Sequence, residues 1–278
     1  MVESTTTEMA ITTLPPVTTT SSTTTSTTTT TTTTTTQPPR VWDGMDRINI
    51  ALLGSDAGVG RTGTRTDTII LVSIDPETGD AAMFSVPRNM TEVPLPEGMG
   101  VWSCNCFPDI ITHLWANAEW FPDAFAGPQE TPVNAIKAAL GGVFGVDIHY
   151  YAKVELAQFV GLFDALGGVA INAPVRITDP SYPHEDGSFE SIAIEAGEQV
   201  LAGHEALAYT RIRYNSGDFA RMHRQRCVLG SALENIDAEA LSADYGWFEE
   251  AIAEYVETDI PLEHLGDFVE LLTRVELD

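Results

Sequence analysis

The run "INIALLGSD", Ile48–Asp56, decides the fold class of this 278-residue chain. Two further apolar runs follow it, "TIILVSID" (Thr68–Asp75) and "AAMFSVP" (Ala81–Pro87), and the "PETGD" between them has the composition of a hairpin turn. Continuous apolar residues, in place of strict alternation, are typical of strands that are covered on both faces. The sequence therefore predicts a layered α/β domain.

Helix and strand signals continue after an irregular region between Asn89 and Glu130. The sequence predicts a helix for "PVNAIKAALGGVFG", which has Pro132 in its first turn, and then a strand over Asp147–Val154. The segments "ELAQFVGLFDALGG" and "VAINAPV" predict a helix that stops at glycine and another strand. The pattern of "GEQVLAGHEALAYTR" is helical up to about Arg211, and a longer helix is predicted from Asp218 to about Ile236.

Composition divides the chain into three parts. Residues 1–40 are mostly Thr with Ser and Pro, and they lack the apolar residues that would offset the entropy of ordering, so we expect a disordered stalk. Residues 41–240 are rich in Val, Ile, Leu, Ala and Gly, which suits one globular domain. Residues 241–278 contain many Asp and Glu and predict an acidic helical extension that packs on this domain.

The chain carries 14 Lys and Arg residues against 40 Asp and Glu residues, a formal net charge of −26. Such a surface argues against nucleic-acid binding, because nucleic-acid phosphates require a basic footprint. The sequence has neither an apolar run long enough to span a bilayer nor a signal-peptide pattern. Since a Thr-rich stalk without an export signal is unusual, we expect that the chain begins just after a membrane anchor.

The segment "TRIRYNSGDFARMHRQR", Thr210–Arg226, concentrates the scarce cations. Arg221, Arg224 and Gln225 share one helix face, and Arg211 and Arg213 point the same way if their segment is extended. Asp218 opens the predicted helix, whose free N–H groups favour an anion. Several guanidiniums beside a helix N-terminus predict a phosphate or pyrophosphate site. The alternative is that these arginines simply pair with surplus carboxylates.

Two aspartates lie at neighbouring strand ends, Asp56 after "LLGS" and Asp67 in "RTD" beside Arg65. Two such carboxylates can hold one Mg²⁺, which takes oxygen ligands and usually shares them with phosphates. In "SVPRN", Pro87 stiffens a strand end and Arg88 is directed outward. Each of these features alone is weak evidence for a site, since a single surface Asp is most often only solvated.

The three cysteines, Cys104, Cys106 and Cys227, give an odd count. We expect no disulfide within "CNC", because residues two apart rarely have relaxed disulfide geometry. One of the pair could bond to Cys227 in an oxidising compartment. A metal site of the three cysteines and His113 is a further, weaker alternative, since the spacing fits no common zinc pattern.

Taken together and in order, these segments resemble the LytR-CpsA-Psr (LCP) family of cell-envelope proteins. The resemblance is carried by "NIALLGSD", "RTDTIILVSIDPETGDAAMFSVPRN", "VDIHYYAKVELAQFVGLFDALGGVAINAP" and "GEQVLAGHEALAYTRIRYNSGDFARMHRQR". It covers about Ile48 to Ile236 and implies a layered α-β-α domain with a central mixed β-sheet. It also implies an extracytoplasmic protein of the cell envelope, usually tethered by an N-terminal membrane helix.

The resemblance further implies a function for residues 41–240 as a catalytic domain. Proteins of this family bind polyprenyl (pyro)phosphate lipids and transfer a glycan phosphate from the lipid to peptidoglycan, with Mg²⁺ as cofactor. The substrate would bring the protein to the membrane surface, and an apolar channel near "FVGLFDALGG" would take the lipid tail. Carried over residue by residue, the family's sites are Asp56 and Asp67 for Mg²⁺, catalytic Arg88, Asp67 and Arg65, and the phosphate-binding set Arg211, Arg213, Arg221, Gln225, Arg224 and Asp218.

The chain departs from the family pattern at Asn89, where an Asp is common, and in the region Thr91–Glu130, which adds "CNC" and extra tryptophans. These differences keep two alternatives open beside the phosphotransferase. One is a protein that binds polyprenyl phosphates without turnover, or that acts as a polyprenyl pyrophosphatase. The other is a structural surface protein displayed on its Thr-rich stalk.

Overall fold

The computed structural model of the chain describes residues 40–56, 63–184, 186–234 and 246–277. At its centre is a six-stranded sheet of order β11-β6-β1-β2-β3-β12. These strands are β1 (Ile48–Ser55), β2 (Thr66–Ile74), β3 (Asp80–Ser85), β6 (Tyr150–Glu155), β11 (Glu257–Thr258) and β12 (Glu276–Leu277). The β1–β6 and β3–β12 pairs are parallel and the other pairs are antiparallel, so the predicted mixed sheet is confirmed.

Three two-stranded sheets accompany the central one. They pair β4 (Val93–Pro94) with β5 (Cys106–Phe107), β7 (Val169–Ala173) with β10 (Gly197–Leu201), and β8 (Ile177–Pro183) with β9 (Phe189–Ile194). The helices are α1 (Leu114–Trp120), α2 (Thr131–Phe144), α3 (Leu156–Ala165), α4 (Gly203–Arg211), α5 (Gly217–Glu234), α6 (Gly246–Tyr255) and α7 (Leu265–Leu272). No helix in the described part of the chain has the length and apolar character needed to cross a bilayer.

Strand β1 shows why its sequence is continuously apolar. Ala51 and Leu53 pack into a cluster with residues of α1 and α2, whereas Ile48 and Ile50 pack into a second cluster with Phe268 of α7. Successive side chains of a strand point to opposite faces, so both faces of β1 are covered by helices. This arrangement is the predicted α-β-α layering, and it is confirmed.

A third cluster joins the smaller sheets to α3, α4 and α5, and it includes Phe163, Val169 and Val228. Helices α3 and α4 approach closely where α4 begins. A Cβ atom added at Gly203 would lie 2.2 Å from the backbone oxygen of Val160, so only glycine fits this position without movement. The contact fixes α4, and with it the arginine that ends α4, relative to the sheet.

Three expectations are corrected. Gly197–Leu201 forms strand β10 and not the beginning of a helix, because it pairs along its whole length with β7. Arg211 is the last residue of α4, so "RIRYNS" is not one extended segment. The third correction concerns the region after Asn89, which contains α1, the β4–β5 pair and short 3-10 turns, and so is less irregular than expected.

The cysteine expectation is also wrong. Cys104 and Cys106 form a disulfide, which the turn between them permits because their Cα atoms lie 5.1 Å apart. Cys227 is a free thiol in α5. A bond to Cys227 and a metal site of three cysteines with His113 are therefore excluded in this structure. Residues 1–39 of the predicted stalk and the end of the predicted helix at Ile236 lie outside the described residues.

Candidate functional site

A cavity of about 700 Å³ lies between the central sheet and helices α3 to α7. One end is polar and is lined by side chains of both strand ends and of the arginine-rich segment: Asp56, Asp67, Arg88, Arg211, Arg213, Arg221 and Gln225. The other end is apolar, with walls from α3, α5, α6 and α7. A deep apolar pocket with a few convergent polar groups is the usual form of a ligand site.

Asp67 occupies an irregularity in the β1–β2 ladder. Gly54 pairs with Thr68 and Ser55 with Thr66, so Asp67 has no partner on β1. A bulge of this kind re-aims a side chain next to a functional site. The Asp67 carboxylate accepts hydrogen bonds from Nη1 of Arg88, at 2.9 and 3.0 Å to its two oxygens, and from Oγ1 of Thr112 at 3.1 Å.

Asp218, in the first turn of α5, is surrounded by three guanidinium groups. Its Oδ1 lies 2.9 Å from Nη2 of Arg221, 3.4 Å from Nε of Arg213 and 4.0 Å from Nε of Arg88. Burial lowers the pKa of Arg213, and the positive charges of Arg221 and Arg88 lower it further. One carboxylate thus holds three cations that repel each other, an arrangement that an added anion would stabilise.

Arg221 connects the arginine-rich helix to the sheet. Its side chain is only 3% exposed, and its Nη1 donates to the backbone oxygen of Asp67 at 3.0 Å. Gln225, one turn later in α5, donates from Nε2 to Oγ1 of Thr68 at 2.8 Å. These bonds hold the helix face of Arg221 and Gln225 against β2, so both side chains are fixed at the polar end of the cavity.

Arg211 reaches the cavity from the C-terminus of α4. Its guanidinium lies over the ring of Tyr182, 5.5 Å from the ring centre, and its Nη1 donates to the Tyr182 hydroxyl at 3.2 Å. Burial raises the pKa of Tyr182, so the hydroxyl stays protonated at neutral pH. Although Arg211 and Arg213 are not on one extended segment, both line the cavity.

Three residues of the predicted set, Asp218, Arg65 and Arg224, are not among the described residues that line the cavity. Asp218 contacts the lining residues Arg213 and Arg221, as described above. Arg65 is exposed, and its backbone N–H donates to Oδ1 of Asp56 at 3.2 Å. Arg224 is buried, and it donates to the backbone oxygens of Tyr209 and Ile212 at the end of α4. Its position explains its burial: the carbonyl groups of a helix C-terminus need donors from outside the helix.

The site also contains residues that the sequence patterns did not single out. Tyr182 in β8 and Thr112 in the turn before α1 hold Arg211 and Asp67, respectively. Neither lies in a recognisable local motif, and both come from segments far along the chain from their partners. Thr68, which holds Gln225, lies within "RTDT" and was detectable there.

The apolar end of the cavity has side chains from four helices. The "FVGLFDALGG" segment, expected to form channel walls, contributes Phe159, Leu162, Phe163 and Leu166. Residues of the C-terminal part of the chain complete the wall, with Phe248 and Ile252 on α6 and Leu272 on α7. The predicted acidic extension therefore supplies apolar side chains to the same cavity.

The oxygen donors at the polar end fit a hard divalent cation. Asp56 and Asp67 both line the cavity and belong to adjacent ends of β1 and β2. Ser55 lines the same end, and its buried hydroxyl oxygen has no hydrogen-bond partner within the described residues. Mg²⁺ is usually bound by one or two carboxylates together with substrate phosphates, so two carboxylates beside a cluster of arginines suit it.

Comparison with known proteins shows which family the chain is similar to. The sequence profile of the LytR_cpsA_psr family matches residues 16–276. The chain is 30% identical over 222 residues to the polyisoprenyl-teichoic acid–peptidoglycan teichoic acid transferase TagU of Oceanobacillus iheyensis, covering 79% of this chain and 61% of that protein. For TagU of Bacillus subtilis strain 168 the identity is 27% over 224 residues, covering 80% and 63%. The chain thus spans less than two thirds of the length of these relatives.

Solved structures of similar fold include B. subtilis TagV, with a TM-score of 0.60, 23% identity and coverage of 84% of this chain and 83% of TagV. Another is TagT bound to LIIa-WTA, with a TM-score of 0.60, 20% identity and coverage of 87% and 80%. At these identities the likeness shows the shared fold alone.

Proposed function

Because the chain belongs to the LytR-CpsA-Psr family, we propose that it is a Mg²⁺-dependent phosphotransferase that moves a glycopolymer from a polyprenyl-pyrophosphate carrier onto peptidoglycan. The proposal places it outside the cytoplasm, at the membrane surface where such a carrier is found. One observation carries the proposal: a single cavity is lined by four arginines, three aspartates and one glutamate together with many apolar side chains.

The polar end fits the diphosphate group of such a substrate. Arg88, Arg211, Arg213 and Arg221 line it, and their planar guanidinium groups can each bind two phosphate oxygens. Asp218 keeps three of the four close together before the substrate arrives. Preorganised positive charge of this kind stabilises the charge that develops during phosphoryl transfer.

The apolar end fits the polyprenyl chain. Aromatic and aliphatic side chains of α3, α6 and α7 line it, and no charged group of these three helices lines it in the described part of the chain. Each buried methylene group of a lipid contributes about 0.8 kcal/mol to binding. The cavity therefore favours a substrate with a long apolar tail over a soluble nucleotide diphosphate.

In the proposed reaction, a sugar hydroxyl of peptidoglycan attacks the phosphorus atom that carries the glycan. A new P–O bond joins this phosphorus to the acceptor oxygen with release of the hydroxyl proton, the bond to the bridging oxygen breaks, and polyprenyl monophosphate leaves. The arginines orient the diphosphate and stabilise the departing phosphate, while the apolar walls exclude water. Asp56 and Asp67 would hold Mg²⁺, which would supply further positive charge to the diphosphate.

The test measures release of polyprenyl monophosphate from a lipid-linked glycan pyrophosphate, with and without Mg²⁺. Arg88→Ala and Asp67→Ala should abolish the release, since both residues line the polar end. Arg176→Ala is the matched control, because Arg176 is exposed and pairs with Glu195 away from the cavity. Full activity of Arg88→Ala would contradict the proposal.

The same assay separates the two related alternatives. Binding that survives EDTA without any release would indicate a carrier-binding protein, and release that does not require an acceptor would indicate a pyrophosphatase. Asn89, the departure from the family pattern, is exposed and is not one of the described residues that line the cavity. This position favours the transferase, because the change to Asn leaves the polar end intact.

A further inference from the structure

A second cluster of ligating side chains lies where the β8–β9 hairpin meets α4. It consists of His184 next to β8, Glu190 in β9 and His204 in the first turn of α4. We propose that these three residues bind a divalent transition-metal ion, with Zn²⁺ as the best fit. The site is separate from the two aspartates assigned to Mg²⁺.

The ligand atoms are already close to the required arrangement. Nε2 of His204 lies 2.6 Å and Nε2 of His184 lies 3.4 Å from the same carboxylate oxygen of Glu190, and the three ligand atoms all lie within 4.8 Å of one another. Zn–N and Zn–O bonds of about 2.0–2.1 Å in a tetrahedron place ligand atoms about 3.3 Å apart. The Glu190–His204 contact therefore has to open by about 0.7 Å.

The two imidazole rings need only a small reorientation. They are nearly parallel, at 7°, with centroids 5.4 Å apart, so each ring must turn about χ2 to direct its Nε2 lone pair at a shared ion. This torsion is soft in histidine. All three side chains are between 33% and 41% exposed, which gives an ion access and leaves space for water as a fourth ligand.

The donor set identifies the class of ion. Two imidazoles and one carboxylate suit Zn²⁺ and its transition-metal neighbours, whereas Mg²⁺ and Ca²⁺ prefer oxygen ligands throughout. An ordinary ion pair needs only one histidine per carboxylate, as for His113 with Asp109 and His264 with Asp267. Glu190 is shared by two histidines from different parts of the chain, which is the arrangement of a metal site.

Tyr182 connects this cluster to the proposed phosphate site. Its ring packs edge-on against His204 and His184, with centroid distances of 5.9 and 6.3 Å, while its hydroxyl accepts a hydrogen bond from Arg211. An ion at the cluster ties the β8–β9 hairpin to α4. It therefore holds Tyr182 in place and, through it, the guanidinium of Arg211 at the polar end of the cavity.

The experiment titrates ZnCl₂ by calorimetry into EDTA-treated, desalted and tag-free protein in the presence of millimolar Mg²⁺, with no lipid. We expect one Zn²⁺ per chain and a loss of affinity of at least ~10-fold in His184→Ala, His204→Ala and Glu190→Gln. Zn²⁺ should also raise the unfolding temperature of the wild type and not that of these variants, because binding to the native state stabilises it. Circular dichroism spectra of the metal-free variants check that they fold.

Two variants serve as controls. His264→Ala removes a histidine that pairs with a single aspartate, and Cys227→Ser removes a thiol whose sulfur lies 3.4 Å from Nδ1 of His223. Both should bind Zn²⁺ like the wild type. The proposal is overturned if the wild type binds no Zn²⁺, if the three cluster variants keep its affinity, or if Cys227→Ser alone loses it. Because no lipid is present, each of these results leaves the proposed transfer reaction untouched.

Discussion

Arg213 and Arg224 belong to the same arginine-rich segment, but the structure gives them different roles, which a pair of substitutions can separate. Arg224 is 6% exposed and donates to the carbonyl oxygens of Tyr209 and Ile212, where α4 ends. Arg213 lines the cavity with a side chain that is 39% exposed and has Asp218 as its ion partner. We predict that Arg224→Met damages stability and that Arg213→Met damages pyrophosphate binding.

The loss of unfolding free energy in Arg224→Met follows from the backbone oxygens that lose their hydrogen-bond donor. Two carbonyl groups are left without it, at about 1–3 kcal/mol each. Part of this loss is offset, because Met does not bury a charge. The unfavourable burial of the Arg224 charge is reflected in its lowered pKa. We therefore expect a loss of about 2–4 kcal/mol, which for a domain of this size lowers the unfolding temperature by about 4–16 °C.

For Arg213→Met the expected change is in the affinity for the ligand. A hydrogen bond to a charged group contributes about 1.5–3 kcal/mol, so the affinity for a phosphate oxygen should fall about 10–150-fold. The assay is calorimetric titration with a short-chain prenyl pyrophosphate, run well below the unfolding temperature of each variant, beside thermal denaturation monitored by circular dichroism. Arg224→Met should retain an affinity close to that of the wild type. The reasoning is refuted if Arg213→Met binds like the wild type, or if Arg224→Met loses affinity while keeping its unfolding temperature.

Three further predictions concern stability and thiol chemistry. Gly203→Ala should lower the unfolding temperature, because the added Cβ would lie 2.2 Å from the backbone oxygen of Val160. Gly266→Ala is the control and should not lower it, because a Cβ there meets nothing within 4 Å. Equal effects of the two substitutions would contradict the packing of α4. Burial lowers the pKa of His149, so its contribution to stability is complete above about pH 6.5 and is lost as the pH falls through the lower folded-state value. His149→Gln should accordingly weaken the pH dependence of the unfolding temperature below that pH, and an unchanged profile would speak against this assignment. When the protein is alkylated without reductant, mass spectrometry should find one modified cysteine, Cys227. The modification should be slow, because burial raises the pKa of the Cys227 thiol. Adducts on all three cysteines would rule out the disulfide.

The central sheet could be predicted from sequence because its information is local. Leu53 and Ile50 each face a different helical layer, and that double burial is visible as an uninterrupted apolar run. Gly197–Leu201 has an ambiguous local pattern, and its strand conformation comes from pairing with a distant partner, β7. Long-range pairing of this kind overrides local propensity and leaves little trace in a single segment.

The candidate site was predictable to a similar extent. Arg88, Asp67 and Arg221 lie in compact motifs, and the structure places all three at the cavity. The patterns could not show that Arg224 turns into the fold, since helix spacing gives the face of a residue but not which neighbour covers it. Tyr182 was missed for a related reason: its role depends on a hairpin that meets α4 only in the folded chain.

Transfer of a glycan phosphate differs from other reactions of a lipid-linked glycan in the bond that breaks, so the products identify it. The protein is incubated with Mg²⁺, a lipid-linked glycan pyrophosphate and a peptidoglycan fragment, and the products are analysed by mass spectrometry and ³¹P NMR. We predict polyprenyl monophosphate together with a glycan joined to the acceptor through one phosphodiester, and we expect both products to be absent with Arg88→Ala. A product joined without phosphorus, or polyprenyl pyrophosphate as the released lipid, would contradict it.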